Sequence, residues 1–115
     1  MYDRLVSEGE NHGLVHAGLS ALGSLRLEKA YRDYGHDIDN TDNAFETGLG
    51  FAVALDKPGG FIGQQAAIAQ KAKAPYQRRL VQVLVGDPEP MLWHAEIILR
   101  NGDMVGDVRA GSYGH

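Results

Sequence analysis

At 115 residues and 12.5 kDa the chain has room for one domain, or for one domain and part of another. Eleven Lys plus Arg against 15 Asp plus Glu give a formal net charge of −4, so neither a nucleic-acid backbone nor an anionic membrane surface is an expected partner. The lack of cysteine excludes disulfides, thiolate zinc sites, iron–sulfur clusters and cysteine nucleophiles.

The start, Met1-Tyr2-Asp3-Arg4, is charged and does not read as a secretory signal. Tyr2 to Glu10 is a short polar segment that reads as a helix ending at Gly9, and His12 to Gly18 reads as looped. A strong helix is expected from Leu22 to Tyr34, because Leu27, Ala30, Tyr31 and Tyr34 share one face and Gly35 supplies a stop. A solvated polar loop follows from His36 to Thr47. The apolar run Leu49 to Leu55, far too short to cross a bilayer, reads as a strand. Asp56-Lys57-Pro58-Gly59-Gly60 is a turn, and a Gln/Ala/Lys helix is expected from about Gly63 to Lys73, with Pro75 beyond it. Leu80 to Val85 reads as a strand and Gly86 to Pro90 as a linker. The last signal is the sharpest: Ile97–Arg100 and Asp103–Val105 flank Asn101-Gly102, a pair suited to a turn with two positive φ angles. The order predicts an α+β fold, helices packed on a small antiparallel sheet, with a unit boundary near residues 76 and 77.

Few chemical motifs survive inspection. His12 and His16 have the spacing of two metal ligands, but glycines flank them and no third ligand is evident, so no metal site is assigned. The acidic run Asp37, Asp39, Asp42, Glu46 lacks the Gly and Glu positions of a calcium loop. Gly48-Leu49-Gly50-Phe51 is similar to the carboxylate-binding loop of PDZ domains, which leaves a peptide-binding interaction module as an alternative. Neither Gly48-x-Gly50 nor Gly59-Gly60-Phe61-Ile62-Gly63 completes a nucleotide-binding loop. Arg26, set among leucines in Ser24-Leu25-Arg26-Leu27-Glu28-Lys29, is expected to be partly buried and paired, its planar fork suited to a carboxylate or the edge of a heterocycle.

Taken together, Ser24-Leu25-Arg26-Leu27-Glu28-Lys29-Ala30-Tyr31-Arg32, Tyr34-Gly35-x-Asp37, Glu46-x-Gly48-Leu49-Gly50-Phe51 and Phe61-Ile62-Gly63 resemble the aminomethyltransferase family, that of the glycine-cleavage T-protein. Arg79 to Val85 and Gly102 to His115 resemble the opening of that family's C-terminal barrel. Within the family the chain looks most like the folate domains of sarcosine and dimethylglycine dehydrogenases. The free T-proteins more often read Ala-Gly where this chain has Lys29-Ala30, and Trp in place of Phe51. The resemblance implies residues 1–76 as the C-terminal part of a folate-binding domain and 77–115 as the start of a β-barrel. It implies one-carbon transfer to tetrahydrofolate, with Arg26 contacting the folate and Phe51 lining its pocket. FAD is expected only on a separate upstream domain. The catalytic carboxylate is expected upstream of residue 1 and more of the barrel beyond residue 115. The chain alone should then be inactive. Its unpaired strand edges should be covered by the remainder of the enzyme, by a complementary chain or by a second copy. A cytoplasmic or mitochondrial-matrix location follows from the same resemblance.

Overall fold

The computed structural model describes residues 1–114; His115, the last residue of the expected barrel segment, lies outside them. The α+β reading holds. Three helices, α1 (Tyr2–Gly9), α2 (Leu19–Glu28) and α3 (Gln64–Lys71), are followed by an antiparallel hairpin of β1 (Ile97–Arg100) and β2 (Asp103–Asp107). Short 3₁₀ turns occupy Glu10–His12 and Gly50–Ala52. α1 ends where Gly9 suggested: Leu14 folds back so closely that a Cβ on Gly9 would stand 2.7 Å from the Leu14 Cβ.

α2 starts earlier and stops earlier than its apolar spacing predicts. The Ala30 N–H bonds to the Leu27 carbonyl and the Tyr31 N–H to the Arg26 carbonyl, both at 2.9 Å, while Ala30 sits at φ 55°. That pair of bonds around a left-handed residue is the Schellman arrangement, which closes the helix at Glu28 and satisfies its last carbonyls. Tyr31 and Tyr34, expected on the buried face, are therefore outside the helix and mostly exposed.

The loop after α2 is not the solvated segment the sequence suggested. It holds the three residues that are buried among those described: Asp37, Phe45 and Thr47. The Asn43 side chain accepts the backbone N–H groups of Phe45 and Glu46 at 3.0 Å, and the Thr47 hydroxyl bonds to the Asn43 and Ala44 carbonyls. Phe45 stacks on Tyr76, ring centroids 6.4 Å apart. Gly50 lies flat against Phe45, and a Cβ there would come within 2.8 Å of that ring. Gly48 sits at φ 75° beneath the Arg32 guanidinium, where a Cβ would also meet it at 2.8 Å. These two close approaches turn the chain into a 3₁₀ step, so the strand expected over Leu49 to Leu55 is absent. It also removes the strand that a PDZ-like loop needs for pairing with a peptide.

α3 runs Gln64–Lys71, a little shorter than expected, and the Gln64 amide bonds to the Leu55 carbonyl at 2.7 Å. Leu80 to Val85 forms no strand. Its one backbone bond to the rest of the chain is Leu80 N–H to the Glu46 carbonyl, 2.9 Å, so the expected strand has no ladder among the described residues. The hairpin is as read. Asn101 and Gly102 have φ 56° and 92°, Arg100 faces Asp103 and Leu99 faces Met104, and a bulge shifts the register between Ile98 and Leu99.

The molecule is a slab of 51 × 49 × 19 Å with a radius of gyration of 18.8 Å. A compact domain of this length would have a radius near 13 Å. Its accessible surface is 9713 Å², against about 6,200 Å² for a folded monomer of this mass. Large apolar side chains lie on that surface, among them Leu19, Val81, Val83, Leu84, Trp93, Ile97 and Leu99.

Candidate functional site

Arg26 comes from the last turn of α2, and its side chain is only 17% exposed. The Arg26 Nη2 donates to Asp37 Oδ1 at 3.2 Å, and Nη1 donates both to Asp37 Oδ2 and to the Tyr31 carbonyl. The fork thus closes over the turn that follows the helix. Arginine has five N–H donors; three are used in these bonds, and among the described residues Nε–H and the second Nη2–H make no hydrogen bond, Nη2 lying 4.0 Å from the Asp33 carboxylate. Asp37 also accepts the Asp33 backbone N–H at 3.0 Å and faces His36 Nδ1 at 3.2 Å. Burial alone would raise the Asp37 carboxyl. The hydrogen bonds from Arg26, the Asp33 backbone and His36, with the charge of Arg26, outweigh burial and hold it below the ordinary carboxylate value. Asp39, on the surface, is also lowered, chiefly by the Thr41 hydroxyl and backbone N–H.

Arg26 lines a half-open cleft of about 410 Å³ between α2 and the C-terminal segment. Gly23 and Leu27 continue the α2 wall; Trp93, His94 and Ser112 belong to the opposite one. Polar contacts tie the walls together. The Ser24 and Ser112 hydroxyls are 2.6 Å apart, and the Gln82 amide donates to the Leu27 carbonyl. The His36 and His94 rings meet with centroids 5.1 Å apart. His94 Nδ1 donates to the Arg109 carbonyl at 2.8 Å, and the Trp93 N–H donates to the Glu96 carboxylate at 2.8 Å. Gly111 passes so close to Leu92 that a Cβ would run into its carbonyl oxygen, so the floor of the cleft admits no side chain there. On the other side of the 37–47 loop, Arg78 reaches Asp42 at 3.5 Å and Glu46 at 3.9 Å.

Phe51 is 87% exposed on its 3₁₀ turn and does not line the Arg26 cleft. The two residues read from the sequence as a pair are therefore not brought together in one wall. Sequence reasoning missed Trp93 and His94; the only signal was that Trp93 is the sole tryptophan of the chain. His16 rests against Tyr2, ring centroids 6.1 Å apart. Among the described residues no group of three or more His, Asp or Glu is disposed to hold a metal ion, and no helix is long and apolar enough to cross a membrane.

Comparison with known proteins gives two family matches in chain order. Residues 1–57 match the GCVT N-terminal domain, and residues 78–115 match the glycine cleavage T-protein C-terminal barrel domain. The chain is 44% identical over 113 residues to a 4-methylaminobutanoate oxidase (formaldehyde-forming) of Paenarthrobacter nicotinovorans. That alignment covers 98% of this chain and 14% of the relative. Human mitochondrial sarcosine dehydrogenase is 40% identical over 114 residues, 99% of this chain and 12% of the relative. An aminomethyltransferase of Halothermothrix orenii is 38% identical over 112 residues, 97% of this chain and 30% of the relative. The chain thus spans under a third of the length of each of these relatives, all of which are enzymes by name.

Proposed function

Because the chain belongs to the aminomethyltransferase family of the glycine-cleavage T-protein, we propose that it works as part of a larger enzyme that transfers a one-carbon unit to tetrahydrofolate. The observation that carries this reading is the pair of ordered family matches, which flank a cleft lined from both matched regions. We place the boundary between the two units at residues 76 and 77, in the unmatched stretch.

The cleft suits a folate. Its volume is within the usual range for a small-molecule site, and it joins a planar cation, apolar carbons and hydrogen-bonding groups. Arg26 would use its Nε–H and spare Nη2–H on the ligand while Asp37 keeps the fork still, so little side-chain freedom is lost on binding. Phe51, from outside the cleft lining, would supply apolar contact. Tetrahydrofolate, when bound, supplies the nitrogens that take up the one-carbon unit. This chain's share is to hold the folate and keep water from the transfer. The catalytic carboxylate and any flavin are assigned to polypeptide outside these 115 residues, and the isolated chain is expected to be inactive. The exposed apolar surface outside the cleft, including Leu19, Val81, Val83 and Leu84, is assigned to contact with that polypeptide, and the location to the cytoplasm or mitochondrial matrix.

Calorimetric titration with 5-formyltetrahydrofolate tests the reading. A charge-assisted contact contributes about 1.5–3 kcal/mol, so Arg26→Ala should weaken binding roughly ten- to hundredfold. Saturable binding that Arg26→Ala leaves unchanged would remove Arg26 from the site and keep folate. Absence of heat at millimolar ligand would overturn folate binding by this chain.

A further inference from the structure

We propose that Trp93 forms the aromatic wall of the folate-type site and stacks on the planar ring of the ligand. The inference rests on the folate reading above and deepens it, adding to Phe51 an aromatic that shares a cleft with Arg26. Three observations carry it.

The first is placement. Trp93 lines the same cleft as Arg26, from the opposite wall, whereas Phe51 does not line it. A planar ligand edge-on to the Arg26 donors needs a flat apolar surface across from the helix, and Trp93 is the aromatic that the C-terminal segment sets on that wall.

The second is rigidity. An exposed indole is a useful platform only if its backbone is fixed. Here the Trp93 N–H is held by the Glu96 carboxylate at 2.8 Å, and the Trp93 carbonyl accepts the Glu96 N–H at 3.3 Å. The next residue, His94, is fixed by the Arg109 carbonyl and by ring contact with His36. A tight backbone loop, with Ala95 at φ 71° bonded to the Val108 carbonyl, closes the segment against the residue that follows β2.

The third is exposure. The indole is 67% exposed although it is the largest apolar side chain in the chain and its backbone is ordered by these bonds. A side chain placed to pack the chain's own interior would be covered. This one stays accessible while lining a cleft whose lining also includes Leu92 and the close-packed Gly111. Stacking on such a surface needs no change in the protein and is tolerant of ring chemistry.

Because Trp93 is the only tryptophan, its fluorescence reports on this cleft alone. The chain is titrated with 5-formyltetrahydrofolate and followed by calorimetry and by tryptophan emission, the latter corrected with free N-acetyltryptophanamide. The expected result is a saturable emission change with the calorimetric midpoint, about tenfold weaker binding in Trp93→Ala and near-native binding in Trp93→Phe. Binding heat with silent emission, or with Trp93→Ala as tight as the parent, would overturn the Trp93 assignment while leaving the folate reading in place. No binding heat at all would overturn both.

Discussion

At the scale of single residues, the Arg26–Asp37 pair decides how the chain leaves α2. Both side chains are largely out of water, and the carboxylate takes hydrogen bonds from two directions besides the guanidinium. Asp37→Asn keeps the shape but loses the charge, and should destabilise the chain by about 1.5–3 kcal/mol, read from urea unfolding. The pH dependence follows from the direction of the Asp37 shift. A carboxyl held below its unfolded value adds stability that is complete above the unfolded pKa and is lost as pH falls through the folded one. Acid unfolding should therefore steepen below the ordinary aspartate range, and Asp37→Asn should flatten that limb. Ala30 offers the opposite test. It occupies the left-handed cap position at φ 55°, where an L side chain is strained and glycine is not. Ala30→Gly should raise stability by roughly 0.5–1 kcal/mol in thermal or urea unfolding.

At the scale of elements, what local chemistry determines was readable and what tertiary contact determines was not. The Asn101-Gly102 hairpin follows from the φ demands of two residues, and Gly13, at φ 69°, ends the 3₁₀ turn after α1 by the same kind of local rule. Gly102→Val should loosen the hairpin, since a β-branched residue is strained at φ 92°, and should speed amide exchange across β1 and β2 about tenfold. The end of α2 is different. Ala30 is the best helix former, and nothing near it announces a stop; the stop comes from a carboxylate eleven residues after Arg26 that pulls the turn back. Likewise Leu49 to Leu55 has a strand's composition, yet Gly48 and Gly50 are placed by Arg32 and Phe45 in a way no apolar pattern records. The candidate site was half legible. An arginine amid leucines foretold a paired, partly buried cation, whereas the partnership with residues 91–94 is a contact across some 65 positions that spacing cannot express.

At the scale of the molecule, apolar side chains face outward over a plate 19 Å thick. Val83 and Leu84 are 67% and 99% exposed, so charging them removes nothing the chain itself packs. Val83→Glu with Leu84→Lys should leave the thermal midpoint within a degree or two of the parent and suppress concentration-dependent association in sedimentation velocity. A loss of folding instead would mean that this segment is packed inside the chain. The bonds that hold the two regions to each other are polar: Ser24 to Ser112, Gln82 to the Leu27 carbonyl, Arg78 to Asp42 and Glu46. Hydroxyls and surface ion pairs add little to stability in water, and the greasy area that would normally supply the rest is turned away from them. On the proposed reading, docking of that area onto the rest of the enzyme adds its free energy to folding. The chain's melting temperature is then a property of the mixture, set by how much complementary surface is dissolved with it, and should climb with the logarithm of that concentration.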